Sequence, residues 1–414
     1  MTSRDLLPLE RRASIVAQTI RHIEKYFIHW EDAIIGANDL GSHLDTYMKQ
    51  AIEAEDRHSF ALVMWEMLGV LRNSHTGYYD SLLDNGSFGF HPEPQGEDWI
   101  ATFDADGEMR SGDVIHSING KRMDDWYNEN SRFLGVAKEL SRKIIAGRML
   151  PFFIKGERDS ELEYEDGNGA KKRIAIPYVH PVDPKRTRPS DQRKTRMVTE
   201  GKWLKDGKIA YIRILSFGEP HFEQKAIDLL KQYRQAPAMI IDVRGNSGGS
   251  TPSRLTSLLM ERPYKWWMER SRHPEWMRVR HGSAPLYFPD DYRYAEWRPD
   301  AQQPANLDEG YSGQLVLLAD RHTGSAAEDF IMPFKDNGRA TIVGERTWGS
   351  TGQPAFLDFG EGARHWVGSI RAYLPEGEPF EGIGIAPDVA VDRTRDDLYA
   401  GRDTALETAI RLLG

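Results

Sequence analysis

The second half of the chain alternates short apolar segments with amphipathic ones, and this alternation constrains the fold more than any other feature. The apolar segments GKIAYIRIL, AMIIDV, QLVLLAD and RATIVGE have the length of buried strands, whereas FEQKAIDLLKQYR and SAAEDFIMPFKD have helical spacing. Strands that alternate with helices form largely parallel sheets. The pattern therefore predicts an α/β core over residues 201–414.

The first half has a different organisation, which predicts a multidomain protein. Apolar residues at helical spacing between Leu9 and Leu71 predict a helical N-terminal domain over residues 1–80. Residues 86–181 contain short strand-like segments separated by turn residues, which predicts a β-rich domain. Residues 182–200 include the basic run Lys185–Arg196, which we interpret as a solvated linker.

Composition excludes several classes of function. The formal net charge of -9 argues against a nucleic-acid partner, because phosphate binding needs an excess of Lys and Arg. The chain has no cysteine, which excludes disulfides and thiolate catalysis. No apolar run is long enough to span a membrane and no signal-peptide stretch is visible, so a cytoplasmic location is expected. No H-E-x-x-H or phosphate-binding loop occurs, and the sequence predicts no metal and no cofactor.

Ser325 is the first candidate for a nucleophile. It follows the apolar segment LVLLAD and precedes a predicted helix, where unpaired backbone N–H groups and the helix dipole would stabilise an oxyanion. A second interpretation needs no catalysis. Ser325-Ala-Ala-Glu328 also matches a helix capping box.

The glycine-rich turn in AMIIDVRGNSGGS offers a competing candidate. Gly248 and Gly249 would let the backbone approach a ligand closely and present N–H groups to it. The same turn matches G-x-S-x-G, the nucleophile elbow of α/β-hydrolases, with Ser247 as the nucleophile. An esterase-type hydrolase using Ser247, with His322 or His365 as base, is therefore an alternative.

Several motifs together resemble the C-terminal processing, or tail-specific, serine protease family. DVRGNSGG, TGSAAE, IVGERTWG and FEGIGIAPDVAV stand here in the order of that family, and GDVIHSINGK resembles part of a PDZ domain. The resemblance implies a helical cap, a PDZ-like domain over residues 86–181 and an α/β protease core. It also implies a serine endopeptidase that acts on C-terminal regions of unfolded proteins or peptides. The PDZ-like domain would bind the substrate by adding it as a strand to a sheet edge.

One departure from the family pattern concerns the catalytic base. Members with a Ser/Lys dyad carry the lysine in T-x-G-K-G, and the matching stretch here is Thr347-Trp-Gly-Ser350-Thr. The chain is instead similar to the branch that resembles the core of tricorn protease. That likeness implies a tetrad of Ser74, His75, Ser325 and Glu381.

The same likeness implies roles for these residues. His75 would accept the proton of Ser325, with a pKa near the histidine value of about 6.5, and Ser74 and Glu381 would orient it. The backbone N–H groups of Ala326 and Gly248, with Gly249 as the neighbouring alternative, would form the oxyanion hole. A catalytically inactive peptide-binding scaffold that keeps the PDZ-like domain is the remaining alternative.

Overall fold

The computed structural model describes residues 6–83, 86–102, 109–154, 159–177, 199–282, 284–288, 294–305 and 309–414. The chain divides into two units, each assembled from three segments. The first unit contains Met1–Lys194, Pro354–Gly368 and Thr394–Arg402, and the second contains Thr195–Gln353, Ser369–Arg393 and Asp403–Gly414. The predicted linker, with its basic run, lies outside the described residues except for its last two positions.

Helices and strands occur in both units. The α-helices are Leu9–Tyr26, Leu40–Glu53, Arg57–Gly69, Met123–Asn130, Glu139–Ile154, Pro220–Gln232, Ser253–Leu259, Pro274–His281, Ala326–Asp336, Arg395–Ala400 and Thr404–Leu412. The strands are β1 Gly77–Asp80, β2 His91–Gln95, β3 Asp98–Thr102, β4 Val114–Ile118, β5 Lys121–Arg122, β6 Ser160–Glu165, β7 Lys171–Ile176, β8 Thr199–Leu204, β9 Ile209–Ile214, β10 Ala238–Asp242, β11 Met268–Ser271, β12 Ala295–Trp297, β13 Gln314–Ala319, β14 Thr341–Gly344, β15 Pro354–Gly360, β16 Ala363–Gly368, β17 Arg371–Tyr373 and β18 Val389–Ala390.

The N-terminal part of the first unit is helical, as predicted, and packs on a small antiparallel sheet ordered β1-β16-β15. Buried Arg12 of the first helix caps the carboxyl end of the second helix. Its guanidinium donates hydrogen bonds to the carbonyls of Ile52 at 3.0 Å and Ala54 at 3.1 Å. Asp56 begins the third helix by accepting a hydrogen bond from the Ser59 N–H at 2.7 Å. These side chains satisfy backbone groups that helix ends leave unpaired.

The β-rich part of the first unit contains a sheet ordered β2-β3-β4-β6-β7, with β5 paired to β4. The predicted Asn-Gly turn joins β4 to β5, and Asn119 and Gly120 have φ values of 53° and 73°. Around this sheet lies a core of its own that includes Trp99, Ile115 and Leu162. Its assignment as a PDZ-like domain stays a prediction.

The second unit contains an α/β core, although Pro354–Gly368 and Thr394–Arg402, which lie within the predicted range 201–414, belong to the first unit. Its main sheet is ordered β18-β14-β13-β10-β9-β8 and is parallel except for the antiparallel pair β8–β9. Alternate residues of the central strands pack into different cores, as with Ile240 in one and Ile241 in the other. The strands are apolar at successive positions because both faces of the sheet are covered.

A second, three-stranded sheet in this unit is ordered β12-β11-β17. Its strands β11 and β12 come from the segment between the helix Ser253–Leu259 and β13, which is rich in aromatic residues. Across the described ranges, we find no helix whose length and apolar character would let it cross a membrane.

Candidate active site

Ser325 has a strained backbone conformation, with φ 54° and ψ -127°. Positive φ is uncommon for a residue with a side chain and costs about 1–3 kcal/mol, so such residues concentrate at functional sites. Ser325 lies between β13 and the helix Ala326–Asp336, which we call the nucleophile helix. A sharp, strained turn from strand to helix is also the geometry that exposes the serine of a nucleophile elbow.

Gly248 lies directly against Ser325. A Cβ atom at position 248 would stand 2.7 Å from Ser325 Cβ and 2.8 Å from Ala326 N, so only glycine fits there, with φ 101°. The two segments meet because each follows one of the neighbouring parallel strands β10 and β13, whose carboxyl ends share an edge of the sheet. The structure thus brings together Ser325, Ala326 and Gly248.

The N–H of Gly248 already has a partner. It donates to Asn246 Oδ1 at 2.9 Å, and the buried Asn246 amide donates in turn to the Ile214 carbonyl at 3.1 Å. Gly248 can therefore join an oxyanion hole only by sharing or releasing this bond. Gly249 stays the alternative donor, and the choice between them stays a prediction.

Glu328 holds the loop after β14 against Ser325. Its fully buried carboxylate accepts hydrogen bonds from Thr347 Oγ1 at 2.5 Å, from the N–H of Gly349 at 2.8 Å, and from the N–H groups of Ser350 and Ser325, both at 3.1 Å. Burial raises the pKa of Glu328 to about 7, although these four donors favour its ionised form. Glu328 therefore does more than accept the cap bond expected from the sequence, because it also fixes the loop 347–350.

Ser350 occupies the position at which the resemblance expects a lysine in the dyad branch. The Ser350 carbonyl accepts the Ser325 N–H at 3.0 Å, and its hydroxyl donates to Glu381 Oε1 at 2.6 Å. Both side chains are buried. Through Ser350, the structure therefore connects Glu381 to the backbone of Ser325.

Ser74 and His75 lie in the first unit, in the loop between the helix Arg57–Gly69 and β1. Buried Asn73 shapes this loop, since its Oδ1 accepts hydrogen bonds from the His75 N–H and from Thr76 Oγ1, both at 3.1 Å. Burial lowers the pKa of His75 to about 4, below the value near 6.5 suggested by the sequence. At neutral pH His75 is uncharged, which is the form that can accept a proton.

The residues of the esterase alternative are placed differently. Ser247 is exposed in the turn, and the next helix begins only at Ser253. His365 is fully buried in the first unit, where Nδ1 lies 2.9 Å from the Gly77 carbonyl. In the part of the chain that the structure describes, no group of three or more His, Cys, Asp or Glu side chains could hold a metal ion.

Two further side chains at this site carry no signal in the sequence. Thr347 is buried, and its Oγ1 also accepts a hydrogen bond from the Ile385 N–H at 2.8 Å. Asp329 is buried as well, and its carboxylate accepts hydrogen bonds from three other segments of the chain. Single buried Thr and Asp residues follow no periodic pattern. Only the four-residue spacing of Asp329 from Ser325 could have drawn attention to it.

A serine at a strained turn, packed against a glycine loop on the adjacent strand, is the arrangement expected of a serine hydrolase of α/β type. The family model described as Peptidase family S41 matches residues 208–391, which contain Ser325, Gly248 and Glu381. Over these residues the chain is similar to peptidase family S41. This match bears out the predicted resemblance to a serine protease family, whereas the tetrad stays a prediction.

Relatives with related names are similar to the chain over longer stretches. The chain is 24% identical over 407 residues to a putative tricorn protease homolog 2 of Streptomyces coelicolor, covering 95% of this chain and 31% of that protein. It is 23% identical over 287 residues to the chloroplastic carboxyl-terminal-processing peptidase 3 of Arabidopsis thaliana, covering 68% of this chain and 47% of that protein. The chain thus spans less than half the length of either relative.

Solved structures show the fold. Mature CPAF superposes with a TM-score of 0.73 at 16% identity, covering 97% of this chain and 96% of that one. A putative peptidase from Parabacteroides merdae superposes with a TM-score of 0.53, also at 16% identity and with the same shares covered. These similarities confirm the predicted mixed α/β fold.

Proposed function

We propose that the protein is a serine endopeptidase that hydrolyses peptide bonds through an acyl-enzyme on Ser325. The observation that carries the proposal is the strained conformation of Ser325 at the start of the nucleophile helix, with Gly248 against it. Strain of this kind persists only where the surrounding structure holds it, here through the Ser325 N–H bonds to Ser350 and Glu328. A serine needed only as a helix cap gains nothing from a positive φ.

The proposed reaction has two halves. Ser325 Oγ attacks the peptide carbonyl while its proton passes to His75, and the N–H groups of Ala326 and of Gly248 or Gly249 stabilise the oxyanion. The tetrahedral intermediate expels the amine, which takes the proton from His75, and leaves an ester on Ser325. Water activated by His75 then hydrolyses this ester and restores the serine. Ser74 and Glu381 orient His75 in this proposal.

The proposed substrate is an unfolded polypeptide, recognised through its C-terminal region. Among the described residues, the β-rich part of the first unit has two edge strands, β2 and β7, and they are not equivalent. At β2 the helix Glu139–Ile154 packs so closely that a Cβ at Gly147 would stand 1.9 Å from the Pro92 carbonyl oxygen. Pro92 and Pro94 also lack N–H donors. Strand addition would therefore use β7, whose Lys171, Lys172 and Arg173 are exposed.

Labelling with a fluorophosphonate, followed by peptide mapping, tests the nucleophile directly. We expect the label on Ser325. Label on Ser247 would support the esterase-type hydrolase, and no label on either serine would support the inactive scaffold. Replacing residues 86–181 by a short linker is expected to slow cleavage of long polypeptides more than of small esters, because remote binding energy is lost.

A further inference from the structure

Asp329 follows Glu328 in the first turn of the nucleophile helix and is 7% exposed. Its two carboxylate oxygens accept hydrogen bonds from three segments that are far apart in the sequence. The donors are Thr251 Oγ1 at 2.7 Å, Thr351 Oγ1 at 2.8 Å and Trp267 Nε1 at 2.9 Å. One side chain that accepts three hydrogen bonds ties three segments to the first turn of the nucleophile helix.

The bond to Thr251 fixes the far end of the glycine loop. The near end is held by Asn246, whose carbonyl accepts the Gly324 N–H at 3.0 Å. Between these two points lie Gly248 and Gly249, and glycine has fewer steric restrictions on its backbone conformation than any other residue type. Phe217 also holds this stretch, because its N–H donates to the Gly248 carbonyl at 3.0 Å and its carbonyl accepts the Ser250 N–H at 2.8 Å. The bond from Thr251 to Asp329 adds a side-chain link between the loop and the nucleophile helix.

The bond to Thr351 fixes the opposite side of the site. Thr351 follows Ser350, which accepts the Ser325 N–H and donates to Glu381. The third donor reaches the same region, because the Trp267 ring packs on Phe380, the residue before Glu381, with ring centroids 4.7 Å apart. One carboxylate therefore bonds to the segments that carry the glycine donors and the Ser350–Glu381 pair.

We propose that Asp329 is a positioning residue for the hydrolytic reaction, which holds the oxyanion-hole loop and the Ser350–Glu381 pair in register with Ser325. This inference rests on the proposed function. Oxyanion donors accelerate a reaction only when they already point at the position where charge develops. Asp329 lies in the first turn of the helix that follows Ser325, so its hydrogen bonds fix the oxyanion-hole loop relative to Ser325.

The test compares substitutions of nearly equal shape that keep or remove a hydroxyl. Thr251→Val and Thr351→Val lose their bonds to Asp329, while Thr251→Ser and Thr351→Ser retain them. For each variant, kcat and KM on a peptide, the rate at which a fluorophosphonate labels Ser325, and the melting temperature are measured. Asp329→Asn tests the carboxylate itself, and the threonine variants keep the proposal testable if that protein does not fold.

We expect each valine variant to lower kcat and the labelling rate about tenfold, less than the loss caused by deleting an oxyanion donor outright, with KM nearly unchanged. Each serine variant should stay within about twofold of the unaltered protein, since its hydroxyl restores the bond. Valine variants with unaltered kcat, or serine variants as slow as the valine ones, would overturn the positioning role. Absence of label on Ser325 in the unaltered protein would instead overturn the proposed function, so the two failures are distinguishable.

Discussion

The Ser350 hydroxyl donates a hydrogen bond to Glu381, with 2.6 Å between Ser350 Oγ and Glu381 Oε1. Because the Ser350 carbonyl also accepts the Ser325 N–H, one residue links the nucleophile turn to the carboxylate that is proposed to orient the base. A neutral hydroxyl at this position cannot serve as a base, but it can set the direction of a carboxylate. Ser350, which stands where the dyad branch of the resembled family has a lysine, therefore has a structural role in this loop.

Ser350→Ala is expected to lower kcat about tenfold, because Glu381 loses a buried hydrogen bond and with it a fixed orientation. Glu381→Gln should have a similar or larger effect. Ser369→Ala is the matched control, since buried Ser369 also donates one hydrogen bond, to the Gln353 carbonyl at 2.5 Å. Steady-state kinetics that showed equal losses for Ser350→Ala and Ser369→Ala would contradict a specific role of Ser350.

Ser325→Ala is expected to lower peptide hydrolysis by several orders of magnitude with the fold retained, because the acyl acceptor is lost. Ser325→Gly should be equally inactive yet more stable than Ser325→Ala by about 1 kcal/mol, since glycine accepts the positive φ without strain. Urea denaturation monitored by circular dichroism measures this difference.

Ser247→Ala is the control for the nucleophile, and its hydrolysis rate should stay close to that of the unaltered protein. If Ser247→Ala and Ser325→Ala were equally impaired, the assignment of Ser325 would not stand. If Ser325→Gly were less stable than Ser325→Ala, the result would contradict backbone strain at position 325.

Gly248→Ala is expected to lower kcat about a hundredfold, because its Cβ would displace Ser325 or the Ala326 N–H from the site. Gly245→Ala provides a control within the same turn. Gly245 also has a positive φ of 75°, but a Cβ there meets no atom within 4 Å. It should therefore cost about 1 kcal/mol of stability and little activity. A comparable loss of kcat in both variants would point to backbone strain rather than to crowding of the nucleophile.

The pH dependence of kcat/KM should reflect the lowered pKa of His75. A general base must be neutral to accept a proton, so activity should rise with pH through an ionisation well below 6.5, toward the value of about 4. His75→Ala should nearly abolish activity. Lys335→Ala should leave it unchanged, because Lys335 forms an ion pair with Asp388. A profile that rises only above pH 7 would argue for a different base.

Two neighbouring histidines of the first unit should make the protein sensitive to acid. Burial lowers the pKa of His22 to about 4 and, together with the charge of His22, that of His365 to about 3, and their ring centroids are 5.2 Å apart. The unfolded chain takes up these protons near pH 6.5, whereas the folded protein resists them. The contribution of these two histidines to the free energy of unfolding is therefore fully present above pH 6.5. It is lost as the pH falls toward the folded-state pKa values of about 4 for His22 and about 3 for His365.

His365→Phe tests this prediction, because it removes one titrating group. The midpoint of urea unfolding, compared between pH 7.5 and pH 5 (about the middle of the window), should shift less in this variant than in the unaltered protein. His273→Phe, a partly buried histidine of the second unit, is the control. Identical shifts in all three proteins would exclude a contribution from His365.

The strand and helix order of the second unit follows from the sequence, because buried parallel strands and amphipathic helices have distinct periodicities. The family likeness, and not the strand pattern, places Gly248 beside Ser325, and the two residues meet because β10 and β13 pair as neighbours. The pairing of β1 with β16 does not follow, because β1 has four residues and its partner lies nearly three hundred residues away. The contacts of Asp329 depend on the folded positions of three distant segments, and no local pattern encodes them.

The pairing of β1 with β16 also determines at what point of synthesis the sheet β1-β16-β15 can form. The loop that carries His75 runs into β1, and the Gly368 N–H donates to Thr76 Oγ1 at 3.0 Å. A ribosome-bound chain that has not yet emerged as far as residue 368 lacks the strand against which this loop is set. Ser325 is made before β16, so the loop that carries His75 is completed only after the Ser325 segment has been synthesised. A truncated product would carry the nucleophile and both loops around it without a finished N-terminal sheet.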